Sequence, residues 1–279
     1  MPKTTTATLR QKKAEGAKVT MLTAYDYATA RLVDAAGIDV ILVGDSLGNT
    51  ILGYETTLPV TMEEMLHHTA AVTRGASDAM VIADMPFMTY QIGKKQALGN
   101  AGRFLKETGC QAVKLEGGVG MAKTVAACVG VGIPVCGHIG LTPQSVHQFG
   151  GFRVQGRQVE QAKRLLADAK ALDEAGAFMI VLECVPADLA RIVTERVEAV
   201  TIGIGAGAGC DGQVQVLADI LGLAGQRVPK HAKRYADVGK TIAEAIGAYK
   251  SDVEAGAFPT DANAFGIDEG VLAELRDKD

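Results

Sequence analysis

The chain has 279 residues, 48% hydrophobic and 22% charged, which is enough apolar material for one large α/β domain or two small ones. Its net charge of −4, with no basic tail, argues against nucleic acid as a partner. No apolar run is long enough to span a membrane. The N-terminal MPKTTTATLRQKKAEGAK lacks the apolar core of a secretory signal, so a cytoplasmic protein is expected.

Strand-length apolar runs follow one another along the chain. They are KVTMLTAYD (18–26), DVILVGDS (39–46), AMVIADMP (79–86), AVKLEGG (112–118), IPVCGHIG (133–140), FMIVLECV (178–185), AVTIGIGAG (199–207) and VQVLADILG (214–222). They are continuous rather than alternating and rich in Val, Ile and Leu, as in parallel strands covered on both faces. Segments with helical spacing separate most of them, such as TMEEMLHHTAAVTRGA, QALGNAGRFLKETG and VEQAKRLLADAKALDEAG. Eight such units predict an α/β fold, a (β/α)8 TIM barrel, over a single domain, 1–279, with a short N-terminal extension and a C-terminal appendage. A doubly wound open sheet is the alternative.

Four units share one plan: AAGIDVILVGD, RGASDAMVIAD, ETGCQAVKLEG and EAGAFMIVLEC. A helix-ending glycine (Gly37, Gly75, Gly109, Gly176) precedes an apolar strand, which a carboxylate closes (Asp45, Asp84, Glu116, Glu183). In a barrel, the C-terminal strand ends form the active-site face, so four acids distant in sequence are expected to converge. The long connections 48–60 and 141–156 both follow strand ends and read as binding loops or lids. The run GIGAGAG (203–209) fits neither a dinucleotide fingerprint nor a P-loop and reads as close backbone packing. The five cysteines, Cys110, Cys128, Cys136, Cys184 and Cys210, contain no CxxC pair, which argues against a disulfide framework and against structural zinc. Cys136 and Cys184 lie in apolar runs and read as small hydrophobes.

Period-two alternation puts Lys114 and Glu116 on one face of their strand and Val113 and Leu115 on the other. The charged face is expected to point into the barrel mouth. His138 shares parity with Cys136, Glu183 with Val181, Asp84 with Ile82 and Asp45 with Val43, and each is expected to point inward. Asp45, Asp84 and Glu116 end consecutive strands, where unaided they would repel one another. A hard divalent cation, Mg²⁺, relieves that repulsion, one acid acting through water if need be. Taken singly, each acid also reads as an ion-pair partner or helix cap. Lys114 beside a metal binds an anionic oxygen. His138 serves as a donor or acid, or as a core histidine bonded to backbone. Glu183, across the mouth, is placed to act as a general base.

The segments TAYDYATA, VGDSLGNTILGYETTLPVT, ADMPFM, VKLEGG, PVCGHIGLTPQSVHQFGGFRVQGR, VLECVP, IGIGAG, DGQVQV and VPKHAKRYADV closely resemble, in order, the ketopantoate hydroxymethyltransferase family of pantothenate biosynthesis. The resemblance implies a (β/α)8 barrel assembled into a homo-oligomer, often a decamer. It implies Mg²⁺ at Asp45 and Asp84, with Glu116 as a further metal-site acid. It implies 2-oxo-acid contacts from Asp45, Ser46, Asp84 and Lys114, and Glu183 as proton acceptor. The implied reaction carries a hydroxymethyl group from 5,10-methylenetetrahydrofolate to 3-methyl-2-oxobutanoate through a Mg-stabilised enolate, giving 2-dehydropantoate. Two alternatives stand beside it. One is a Mg²⁺-dependent 2-oxo-acid C–C lyase of the isocitrate lyase and phosphoenolpyruvate mutase type, whose KKCGH-like loop is absent from the sequence. The other is a barrel that binds 2-oxo acids without turnover.

Overall fold

The computed structural model describes residues 3–151, 153–223 and 229–276. Eight parallel strands, β1 Val19–Thr23, β2 Val40–Val43, β3 Met80–Asp84, β4 Ala112–Glu116, β5 Val135–Gly140, β6 Met179–Glu183, β7 Val200–Ile204 and β8 Gly212–Gln215, pair in chain order. β1 pairs with β8 and closes the barrel. The helices are α1 Thr6–Ala14, α2 Tyr27–Ala35, α3 Leu47–Thr50, α4 Met62–Gly75, α5 Lys94–Arg103, α6 Ala122–Gly130 and α7 Val146–Phe149. They continue with α8 Val159–Glu174, α9 Ala187–Arg196, α10 Leu217–Leu221, α11 Val238–Glu254 and α12 Glu269–Arg276. No helix among the described residues is long and apolar enough to cross a membrane.

Local sequence starts the helices where the barrel needs them. Asp26 caps α2 by accepting from Thr29 N at 2.9 Å. Thr61 and Glu64 form a reciprocal capping box at α4, satisfying two N–H groups that would otherwise lack partners. Alternation along the strands makes two apolar layers. Ile41, Val81, Val113, Leu115, Ile180 and Leu182 pack outward under the helices. Val40, Met80, Ile82, Ala112, Cys136 and Val181 fill the interior. The N-terminal extension seals the floor: Leu9 of α1 is fully buried within the interior layer. Lys12 pairs with Asp39, and Lys13 with Asp211 at 2.9 Å.

Two expectations need correction, and one glycine ends its helix in its own way. The run 214–222 is not one strand: β8 ends at Gln215, and α10 follows, stopped by Gly222 with φ 71°. An apolar run that short carries no decisive period, and Leu217 turns away to pack on the outer layer. Gly75 ends α4 as expected, but without the left-handed φ of Gly37, Gly109 and Gly176. It is the last residue of α4, where a Cβ would lie 2.6 Å from Tyr27 O on α2. Val43 packs outward, so Asp45 does not face inward by strand parity. The chain leaves β2 at Gly44 and turns over the barrel rim. A Cβ at Gly44 would meet Ser46 Oγ at 2.8 Å and Asp84 Oδ2 at 3.4 Å, so glycine is what lets the backbone pass there.

One stretch of the barrel wall is uncovered. On the outer face of β1 and β8, Thr20 and Gln213 are exposed, and Leu22 and Gln215 are half-buried. A groove of about 760 Å³ runs there, lined by Leu22, Ile38, Ile220 and Tyr235 among others. α11, the long helix after β8, buries none of its residues. Ile242, Ile246, Tyr249 and Val253 form an exposed apolar stripe along one of its faces.

Candidate active site

Strand register sets the core of the site. Asp84 on β3 lies beside Lys114 on β4, and Glu116 lies beside His138 on β5. Neighbouring strands run about 4.8 Å apart, so inward side chains at paired positions touch. Lys114 Nζ lies 3.0 Å from Asp84 Oδ1 and 3.3 Å from His138 Nδ1. His138 also stands between two acids, with Nδ1 3.5 Å from Glu116 Oε1 and Nε2 3.2 Å from Glu183 Oε2 on β6. Asp45 joins from the turn after β2, its N–H donating to Asp84 Oδ2 at 3.0 Å. Ser46 Oγ lies 2.8 Å from the hydroxyl of the buried Tyr25. Asp45, Ser46, Asp84, Lys114, Glu116, His138 and Glu183 all line one cavity of about 630 Å³ at the C-terminal ends of the strands.

This cluster is buried. Asp45, Asp84, Lys114, Glu116 and His138 are each at least nine-tenths buried. Burial, then the charges of Asp84 and Glu116, push Asp45 up to about 8. Burial also raises Asp84, although Lys114 opposes it. Burial presses the Lys114 ammonium down, but Asp84, Glu116 and Asp45 outweigh that and hold it above the usual lysine range. For His138, burial and Lys114 act downward, and Glu116 and Glu183 lift it to about 9. Two buried polar atoms facing the cavity, Asp84 Oδ1 and His138 Nε2, make ion-pair contacts but no well-aligned hydrogen bond. Among the described residues, no three His, Cys, Asp or Glu side chains close into a metal cage by themselves.

The loops supply residues that the strand pattern did not reveal. Gln144, in the 3₁₀ turn Pro143–Ser145 after β5, donates from Nε2 to Asp45 Oδ2 at 2.9 Å. Its backbone N–H donates to Glu116 Oε2 at 3.0 Å. Tyr90, after β3, donates its hydroxyl to Gln144 Oε1 at 2.7 Å. Only the position of these loops, directly after strand ends, could have flagged them. The thiols are not poised to react: burial pushes Cys136 up to about 12, and burial then Glu183 push Cys184 up to about 11. The glycine run packs closely, as expected: a Cβ on Gly207 would lie 2.5 Å from Ala187 Cβ.

The family model for ketopantoate hydroxymethyltransferase matches residues 3–261. The chain belongs to that family. It is 56% identical over 275 residues to the 3-methyl-2-oxobutanoate hydroxymethyltransferase of Syntrophomonas wolfei, covering 99% of this chain and 100% of the relative. It is 57% identical over 274 residues to the same-named protein of Dehalococcoides mccartyi, covering 98% of each. The chain is thus an enzyme, a transferase of the hydroxymethyltransferase type. Among solved structures, 2,3-dimethylmalate lyase of the PEP mutase/isocitrate lyase superfamily matches with a TM-score of 0.57 at 16% identity, covering 98% of each chain. Phosphonopyruvate hydrolase in complex with oxalate and Mg²⁺ matches with a TM-score of 0.57 at 13% identity, covering 99% of this chain and 96% of the other. Those two likenesses concern the barrel fold alone.

Proposed function

We propose that this chain transfers a hydroxymethyl group from 5,10-methylenetetrahydrofolate to 3-methyl-2-oxobutanoate, forming 2-dehydropantoate, with Mg²⁺ as the metal. The observation that carries the reading is the one cavity at the C-terminal strand ends in which Asp45 and Asp84 stand beside Lys114 while Glu183 stands beyond His138.

The residues fit a hard cation. The Asp45 carboxyl is pushed up to about 8 by burial and neighbouring acids, which a divalent charge relieves. Asp84 Oδ1 is buried without a well-aligned hydrogen bond. Asp45 and Asp84 would hold the ion directly, and two carboxylates leave positions for water and substrate. Both oxygens of Glu116 already have partners, Gln144 N–H and His138, which fits a contact through water. When bound, Mg²⁺ supplies Lewis-acid polarisation of the keto group.

The chain's own residues do the rest. Lys114 and Ser46 bind the oxygens of the 2-oxo acid, together with the Asp45 and Asp84 side of the pocket. Glu183 takes the proton from C3, and the fixed Lys114 charge stabilises the enolate that results. The enolate carbon attacks the methylene carbon of the folate; water then takes the place of the folate nitrogen on that carbon, which completes the hydroxymethyl group and releases tetrahydrofolate with the proton returned to its nitrogen. His138, held between Glu116 and Glu183, keeps the Glu183 carboxylate facing the substrate and assists its proton transfer.

The same reading includes a cytoplasmic homo-oligomer, a decamer by family resemblance. The five free cysteines fit a reducing compartment. The apolar stripe of α11 and the uncovered groove at β8–β1 fit assembly with further copies of the chain. The test is to incubate the purified protein with both substrates and Mg²⁺, with and without EDTA, and to detect 2-dehydropantoate by mass spectrometry. Metal-dependent product is expected; folded, metal-loaded protein that makes none overturns the proposal.

A further inference from the structure

Gln144 is 6% exposed, and every polar group of its side chain is engaged. Its Nε2 donates to Asp45 Oδ2 at 2.9 Å and to the Met85 carbonyl at 3.0 Å. Its Oε1 accepts from the Tyr90 hydroxyl at 2.7 Å and from Gln91 Nε2 at 3.1 Å. Its backbone N–H donates to Glu116 Oε2 at 3.0 Å. One uncharged residue therefore holds two of the buried acids, which reach it from the turn after β2 and from β4. An amide can tether a carboxylate without neutralising it, as a lysine or arginine in the same place would do.

The Asp45 carboxylate and the Met85 carbonyl, both acceptors only, decide which way the amide faces, and Tyr90 braces it there. Tyr90 is 1% exposed; its hydroxyl oxygen accepts from the Glu116 backbone N–H at 3.1 Å, and the Glu116 carbonyl, at 3.4 Å, is a more distant acceptor for its proton than Gln144 Oε1 at 2.7 Å. The one hydroxyl proton is then free to point at Gln144 Oε1. A flipped amide would set Oε1 against the Asp45 carboxylate and the Met85 carbonyl, and would turn its NH₂ towards Gln91 Nε2, a donor facing donors. The bond to Asp45 Oδ2 restrains that carboxylate where it lines the cavity.

We propose that Gln144, braced by Tyr90, is a positioning residue that fixes the separation and facing of Asp45 and Glu116 and so presets the cation-binding side of the pocket. This rests on the cation reading given above. Outer partners of metal-holding carboxylates typically contribute about 10–100-fold in affinity or activity.

The test compares the intact protein with Tyr90→Phe, Gln144→Met and the double variant. Mn²⁺ binding is read by paramagnetic resonance without substrate, kcat and KM by steady-state assay, and melting temperature by calorimetry in EDTA. Tyr90→Phe should weaken Mn²⁺ binding about 10-fold or more and lower kcat, with KM for the folate unchanged. The double variant should lose little beyond Gln144→Met alone, because both changes break the same linkage. A lower melting temperature with Mn²⁺ affinity and kcat unchanged would reduce Gln144 to a packing role and overturn the proposal. Full additivity of the two changes overturns it as well. If the unaltered protein binds no Mn²⁺, the cation reading falls by itself. The presetting of a cation side falls with it, and the positioning of Asp45 and Glu116 by Gln144 is decided by kcat: a loss in Tyr90→Phe at unchanged melting temperature supports it, and no loss overturns it. Tyr90→Phe removes a single oxygen, so it carries the test even if Gln144→Met does not fold.

Discussion

Lys114 Nζ and Asp84 Oδ1 lie 3.0 Å apart, on adjacent strands at paired register positions, with almost no solvent access to either. Lys114 is the ammonium that balances the buried acids. Removing one partner of a buried pair leaves the other charge uncompensated and costs about 3–5 kcal/mol. Lys114→Met should therefore lower unfolding stability by about that much in EDTA and abolish turnover. Urea unfolding of the two proteins measures it; coincident midpoints would remove Lys114 from this role.

Glu183→Gln should keep binding of the 2-oxo acid and lose about 10²–10⁴ in kcat, the usual share of a general base. Calorimetric titration beside steady-state kinetics separates the two. Parallel loss of binding and turnover would count against the base assignment.

Asp45 makes stability depend on pH in a definite direction. Its carboxyl is raised from 3.8 to about 8 in the folded chain, so the folded state holds the proton more tightly than the unfolded one. Its contribution to stability is complete below 3.8 and is lost as pH rises through about 8. In EDTA the melting temperature should fall across that window, and Mg²⁺ should flatten the fall. Asp45→Asn, which cannot ionise, should melt higher than the parent chain at alkaline pH in EDTA. A parent curve parallel to that of Asp45→Asn would refute the linkage.

The α11 stripe gives a prediction about assembly. Ile246→Glu with Tyr249→Glu places two charges on an apolar face that the chain's own barrel leaves uncovered. Sedimentation should show smaller species than the parent at equal concentration. An unchanged distribution would mean that the stripe is not an interface.

Leu9 tests the floor of the barrel. It is fully buried, and Leu9→Ala should cost about 2–5 kcal/mol while leaving the distant site geometry intact. The expected result is a lower denaturation midpoint with kcat preserved at permissive temperature.

Much of this molecule was readable before its fold was known, and for a physical reason. Strand alternation is strictly local, so Lys114, Glu116, His138 and Glu183 could be assigned to one face from spacing alone. Continuous apolar runs between helical segments signalled a two-layered parallel barrel. Asp45 escaped that logic because it lies beyond the last residue of β2, where a turn rather than a pleat sets direction. Gln144 and Tyr90 were illegible for the same reason: a loop side chain reaches its partner through turn geometry, and nothing periodic records it. The run 214–222 failed differently, since its apolar residues serve first a strand and then a short helix.

The seam of the barrel joins its first strand, β1, to its last, β8. Val19 pairs with Gly212, and Lys13 binds Asp211 at 2.9 Å together with the Ala199 carbonyl at 2.9 Å. Those partners all lie between Ala199 and Gly212, so nothing in the first two-thirds of the chain can supply them. During synthesis, β1 and its preceding helix must therefore wait, with one edge of β1 unpaired, until β8 leaves the ribosome. At about 5–20 residues per second, that exposes an open strand edge for roughly ten seconds or more, a period in which chaperones and sister chains compete for it.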